Sequence, residues 1–263
     1  MKRRLLILLA AVGAAWPVWG WYISRLTDGS DEPWGIVALL TLAAVVLWKE
    51  LRERPSAERY DLRAAGAVVL VYAISFPFAM PLVRGALAMS ALALVLSRLY
   101  FGRWRHVGIW GLSMLSLPLM ASLQFYAGYP LRVVVAVLAA GLIRMGGYAV
   151  VRDGAGFLAG GTAVLVDAPC SGIRMLWAGG YLVCVLAVLW RLSAGRTILA
   201  GVCAIGIVIG ANVVRAAALF YVETRGAFPE WLHEGTGLFV FAGTAVLIML
   251  LVQQISRMKG AAA

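Results

Sequence analysis

Long apolar runs separated by short polar segments constrain this chain more than any other feature. About 20 apolar residues in a helix cross the hydrocarbon core of a bilayer. The chain is 63% hydrophobic and only 13% charged, whereas soluble domains are about 25% charged. These features predict an all-α polytopic membrane protein whose main solvent is the lipid bilayer. The apolar runs span roughly residues 5–23, 34–48, 64–82, 85–97, 107–123, 131–143, 173–190, 197–221 and 237–253.

The distribution of charge predicts how the chain crosses the membrane. Lys2-Arg3-Arg4 precedes the first run, and the segments 49–63 and 98–105 are also basic, whereas the loop 25–33 is acidic. Since Lys and Arg concentrate in cytoplasmic loops, we predict about eight transmembrane helices with both termini cytoplasmic. In a membrane protein, the position of the positive charges matters more than the net charge of +11. We expect no nucleic-acid partner.

Residues 124–172 form an extracytoplasmic segment in this topology, since both ends fall on the outer side. The short run 131–143 is flanked by arginines, which is typical of an amphipathic helix lying in the interface. Two β-branched patches around Asp153-Gly154 follow and predict a small β-hairpin or lid. The main alternative makes 131–166 a membrane hairpin, which gives ten crossings. In both cases residues 1–263 form a single integral membrane domain.

We predict that three residues, Cys170, Arg215 and His233, meet near the outer membrane face. Arg215 lies about six residues from the outer end of its run, or about 9 Å at 1.5 Å per residue. Asn212 shares its helix face because the two residues are three apart. Polar groups inside a bilayer are costly and mark functional sites, although Arg215 could also simply anchor the helix end. Cys170 and His233 precede their own apolar runs on the same side.

These residue types suit nucleophilic attack on a carbonyl. The pKa of a thiol falls near a cation or a helix N-terminus, and Cys170 precedes an apolar helix, with Arg174 and Arg215 as candidate cations. His233 can accept the thiol proton and return it to a leaving amine. An arginine can stabilise the oxyanion that forms. Ser171 is the alternative nucleophile, but it needs its own base.

Other functional classes find less support in these residues. His233-Glu234 begins a zinc-peptidase motif, but position 237 is glycine instead of the second histidine, so we predict no metal and no cofactor. Cys184 and Cys203 fall inside apolar runs and offer no second outer thiol for an oxidoreductase. The remaining alternative is a transporter or scaffold without peptidase activity, although no internal repeat typical of transporters is visible.

Three sequence blocks resemble the signature blocks of the exosortase/archaeosortase family. They are APCSGIRML at 168–176, GANVVRAAALF at 210–220 and WLHEGTGLFVF at 231–241. The resemblance covers about residues 112–253, the family-like catalytic core. It implies a multi-pass cysteine transpeptidase or protease of the cytoplasmic (inner) membrane. Such an enzyme cleaves C-terminal sorting signals, each a short motif, an apolar span and a basic tail, from exported proteins.

The resemblance also implies roles for individual residues. Cys170 would be the nucleophile, Arg215 the stabilising arginine and His233 the acid and base, on the extracytoplasmic face. An acyl-enzyme would then be released by water or by an amine acceptor, and the sequence leaves both outcomes open. Asn212 and Arg174 match family positions and would be supporting or substrate-binding residues. Ser171, Gly172 and Asp167 are further supporting candidates because they lie beside Cys170 in the sequence.

Overall fold

The chain is predominantly helical, as its apolar runs predict. The computed structural model describes residues 2–29, 31–52, 60–159, 162–165, 172–224 and 230–258. The helices are α1 (Lys2–Ala14), α2 (Trp16–Thr27), α3 (Trp34–Arg52), α4 (Arg63–Ser75), α5 (Pro81–Phe101), α6 (Val107–Leu115), α7 (Met120–Met145), α8 (Ile173–Leu189), α9 (Ala194–Thr224) and α10 (Glu230–Arg257). The strands are β1 (Val151–Asp153), β2 (Gly156–Ala159) and β3 (Thr162–Leu165).

Several of these helices have the length and composition of membrane spans. Among the described residues, α3, α5, α7, α9 and α10 pass this test, and α1 with α2 would add a sixth as one broken span bent by 64°. Helices α4 and α8 are apolar but have only 13 and 17 residues. The chain is therefore a polytopic membrane protein. It has five or six candidate spans where the sequence predicted eight.

Prolines explain part of this difference. The predicted run 64–82 contains Pro77, and its helix stops at Ser75 before α5 begins at Pro81. Likewise, the run 107–123 is interrupted at Pro118, between α6 and α7. Proline lacks the backbone N–H that an interior helix position needs, but it is tolerated in the first turn. Apolar composition alone therefore overestimated the length of these helices.

The structure corrects the prediction for residues 131–143. They do not form a separate interfacial helix but belong to α7, which is continuous over 26 residues and contains Pro130. At about 1.5 Å per residue, α7 is about 39 Å long, which is enough to cross a bilayer. The aromatic residues Phe125 and Tyr126, which precede the predicted helix, are exposed on α7. The helix thus begins well before the apolar run does.

A small antiparallel sheet precedes the segment that contains Cys170. Strands β1, β2 and β3 pair in sequence order, with Val151 opposite Leu158 and Phe157 opposite Val164. The turn between β1 and β2 contains Gly154 at φ +55°. The predicted hairpin around Asp153-Gly154 is therefore present and is extended by a third strand.

The chain forms two compact units. The first contains residues 1–121 and 184–197, and the second contains residues 122–183 and 198–263. In the second unit, Phe157 of β2 is 1% exposed and packs edge-to-face on Phe220 of α9, with ring centroids 6.0 Å apart. This contact anchors the sheet to the helix that carries Asn212 and Arg215.

His106, in the first unit, follows the basic segment 98–105, yet its side chain is buried. It caps the N-terminus of α6, because its Nδ1 accepts a hydrogen bond from the Ile109 backbone N–H at 3.4 Å. Burial, helped by the nearby positive charge of Arg103, lowers the pKa of His106 from its ordinary 6.5 to about 4.

Candidate functional site

Helix α9 carries the two polar residues that the sequence singled out. Asn212 is only 2% exposed, and Arg215, one turn further on, is half-buried. The neighbouring residues Ala216, Ala217 and Phe220 belong to the hydrophobic core of the second unit. Core packing therefore fixes the rotation of α9 and, with it, the direction of the face shared by Asn212 and Arg215.

Asn212 lies against Gly172, the residue that immediately follows Cys170-Ser171. A Cβ added to Gly172 would lie 2.8 Å from Asn212 Nδ2. Gly172 also has φ +79°, a conformation that glycine adopts without the steric cost of a side chain. Its carbonyl accepts a hydrogen bond from the Leu176 N–H at 2.8 Å, which starts the first turn of α8. Glycine is required here both by its backbone angle and by the neighbouring amide.

Arg215 lies against a second glycine, Gly237 of α10. A Cβ added to Gly237 would lie 3.0 Å from Arg215 Nη2 and 3.4 Å from Cζ. Position 233 is four residues earlier on α10, and residues four apart lie on the same helix face. The guanidinium therefore contacts α10 one turn away from the position of His233.

One hydrogen-bond donor of the Arg215 guanidinium is unsatisfied in the described part of the chain. Its Nε is buried and has no hydrogen-bond partner among the residues that the structure describes. Leaving a buried donor unsatisfied costs about 1–3 kcal/mol, and more when it is charged. An arginine that only anchored a helix end would be expected to turn its donors toward water or lipid headgroups. This geometry instead suits a group that binds an anion inside the protein.

The other predicted site residues have different positions. Cys170, Ser171 and Asp167 lie outside the described residues, and His233 falls in the first turn of α10. Arg174 is exposed in the first turn of α8. The described contacts thus join α9 to the residue after Cys170-Ser171 and, separately, to the first part of α10.

A protein-family model matches nearly the whole chain. The family model described as transmembrane exosortase matches residues 3–250. The chain belongs to the transmembrane exosortase family. The match is longer than the resemblance over 112–253 seen in the sequence, because it extends into the first unit. No curated protein and no solved structure matches the chain.

In this exosortase family member, sequence reasoning missed Gly237. In the sequence, position 237 is notable only as the place where a zinc peptidase would have its second histidine. The available signal was its spacing of four from His233, which places both on one face of a helix. The contact with Arg215 depends on how α9 and α10 pack, and no local pattern reports that packing.

The two other cysteines of this exosortase family member lie within α8 and α9. Cys184 and Cys203 are free and half-buried, and the Cys184 sulfur fills the space beside Gly111 of α6. Both behave as small packed side chains within helices. Within the described part of the chain, no group of three His, Cys, Asp or Glu residues could hold a metal ion.

Proposed function

We propose that this exosortase family member is a cysteine transpeptidase or protease that cleaves C-terminal sorting signals from exported proteins. The observation that carries the proposal is the Asn212–Arg215 face of α9. One of these residues contacts Gly172, two residues after Cys170, and the other contacts α10 one turn from position 233. The three blocks that resemble exosortase signatures are therefore linked through a single helix face.

Each residue has a defined step in the proposed reaction. The Cys170 sulfur attacks the carbonyl carbon of the scissile peptide bond, and His233 accepts the thiol proton. The negative charge that develops on the carbonyl oxygen is stabilised by the Arg215 guanidinium. Collapse of this intermediate breaks the C–N bond, and His233 donates its proton to the leaving amine. A thioester acyl-enzyme is left on Cys170.

The acyl-enzyme is then released by a second nucleophile. Water would give a hydrolysed product, whereas an amine acceptor would give a new peptide or amide bond. Asn212 is a positioning residue in this scheme, because it packs against the turn at Gly172 and so supports the segment that contains the nucleophile. We place the site on the extracytoplasmic face of the cytoplasmic membrane, where exported substrates arrive.

Single substitutions at Cys170 and Ser171 test the chemistry. We would co-express the full-length protein with an exported protein that ends in a sorting signal, and follow its cleavage by pulse-chase. Cys170→Ala should abolish cleavage and Ser171→Ala should retain it, with both variants present in the membrane at wild-type abundance. Cleavage by Cys170→Ala would refute the assignment of the nucleophile.

The roles of Arg215 and His233 are tested in the same assay. Arg215→Ala should lower the cleavage rate by about 10²–10³-fold, the usual cost of removing an oxyanion donor. His233→Ala should also prevent cleavage, since no other base is assigned. A normal cleavage rate in either variant removes that residue from the mechanism.

A thiol-labelling experiment tests the membrane face separately. A membrane-impermeant maleimide added to intact spheroplasts should label the wild-type chain but not Cys170→Ala. Cys184 and Cys203 remain in both proteins and serve as the internal control for deeper thiols. Labelling that requires permeabilised membranes would place Cys170 on the opposite side.

A further inference from the structure

An apolar groove runs along the first unit. Its volume is about 670 Å³, and its walls come mainly from α1, α3 and α5. Nearly all lining side chains are aliphatic, and the polar exceptions Glu50 and Tyr100 lie at one end. Representative wall residues are Leu5, Leu8, Leu42, Ala43 and Leu96.

The length of the groove matches the thickness of one leaflet of a bilayer. Along α3 it extends from Leu39 to Leu51, a distance of about 18 Å at 1.5 Å per residue. One leaflet accounts for about 15 Å of a hydrocarbon core that is about 30 Å thick. A membrane-crossing helix needs the full thickness, whereas a single acyl chain needs only one leaflet. The length of the groove therefore favours a lipid chain over a transmembrane helix.

A cluster of polar side chains lies at one end of the groove. The Tyr100 hydroxyl donates a hydrogen bond to Glu50 Oε1 at 2.9 Å. Arg4 Nε donates to the Tyr60 hydroxyl at 2.8 Å, and the Arg4 guanidinium lies 5.8 Å from the Tyr100 ring centroid. Glu50 and Tyr100 thus make this end of the groove wall polar.

Exposed cations stand at that same end on two different walls. Arg3 is the second residue of α1 and Arg52 is the last residue of α3, and both are exposed. The Arg52 guanidinium lies 5.9 Å from the Trp48 ring centroid. A partly exposed tryptophan beside an arginine is typical of the membrane–water interface. Juxtamembrane arginines attract anionic lipid headgroups, which makes this end complementary to a phosphate.

We propose that this groove binds one acyl chain of an anionic phospholipid, whose phosphate lies at Arg3 and Arg52. The described residues that line the groove include no candidate catalytic residue, so the proposal is independent of the proposed function.

Lipid binding to the purified protein tests the charge at the groove end. We would purify the full-length chain in a neutral detergent and titrate it with phosphatidylglycerol or phosphatidylcholine of identical chains, counting bound lipid by native mass spectrometry. Phosphatidylglycerol should bind one per chain and more tightly. The double variant Arg3→Gln with Arg52→Gln should lose about fivefold in affinity for each arginine. Arg63→Gln, which changes an exposed arginine outside the groove, should bind as the wild type does.

A matched pair of alanines tests the groove itself. Ala43 and Ala44 are adjacent and exposed on α3, but only Ala43 lines the groove. Ala43→Phe should fill the groove and reduce phosphatidylglycerol binding, whereas Ala44→Phe should bind normally. The proposal is overturned if Ala43→Phe binds as the wild type does, or if the two lipids bind equally. An equal loss of affinity in Arg63→Gln would also overturn it, because binding would then reflect general surface charge.

Discussion

Adding one methyl group at Gly237 should move the Arg215 guanidinium without unfolding the protein. The new Cβ would lie 3.0 Å from Nη2, 3.4 Å from Cζ and 3.6 Å from Nε. Non-bonded heavy atoms are comfortable at about 3.5–4.0 Å, so the guanidinium must shift by about 0.5 Å. Because the clash involves the far end of a flexible side chain, it can be relieved by a small rotation.

The stability and activity of Gly237→Ala should therefore change in different directions. Replacing a helical glycine by alanine stabilises a helix by about 0.5–1 kcal/mol, which should offset the cost of moving Arg215. A misplacement of 1 Å can cost about 10²-fold in rate, so a shift of half that size should lower cleavage by about tenfold. We therefore expect slower cleavage at an unchanged or slightly higher melting temperature.

Gly243→Ala, on the same helix, is the matched control. A Cβ added at Gly243 would have no neighbouring atom within 4 Å. Cleavage would be followed by pulse-chase with a co-expressed substrate, and melting by tryptophan fluorescence in detergent. Gly243→Ala should cleave at the wild-type rate. If Gly237→Ala also cleaves at that rate, or if both variants slow equally, then the contact between Gly237 and Arg215 does not position a catalytic group.

Three further predictions concern single positions. Gly172→Ala should lower the free energy of unfolding by about 1–2 kcal/mol, because a side chain is strained at φ +79°, and Asn212→Ala in the same chain should relieve only the contact with the amide and leave this backbone strain. Because the folded pKa of His106 is lowered to about 4, stability should be full above pH 6.5 and fall by up to about 3 kcal/mol toward pH 4. His106→Asn should keep the helix cap and remove this pH dependence of the melting temperature. If the pH dependence persists in this variant, it arises from other titratable groups. Phe157→Ala should lower the free energy of unfolding by about 3–5 kcal/mol. Phe125 is 80% exposed, so Phe125→Ala should change the free energy of unfolding by less than about 0.5 kcal/mol.

Local rules explain the parts of the fold that were correctly predicted. The membrane class follows from composition, because a chain with 13% charged residues cannot cover a soluble surface. The hairpin around Asp153-Gly154 follows from a turn sequence beside β-branched residues, although the second β-branched patch forms β3 and not the strand after the turn. The shared face of Asn212 and Arg215 follows from their spacing on a helix. Each of these inferences uses residues that are close together in the chain.

Helix boundaries were predicted less well, although local information was available. Pro77 and Pro118 lie where two apolar runs are interrupted, and the cost of proline inside a helix is known in advance. Conversely, α7 continues through Pro130, so proline alone does not decide where a helix ends. Packing against neighbouring elements decides whether a helix ends at a given proline or continues through it.

By itself, the sequence determined the membrane environment, the β-hairpin and the polar face of α9, since each depends on composition or short spacing. Only the tertiary structure decided that Asn212 meets Gly172 and that Arg215 meets Gly237. These pairs are 40 and 22 residues apart in the chain. Such contacts form only when α9 packs at one particular rotation against its neighbours, and that rotation is set by the core around Phe220.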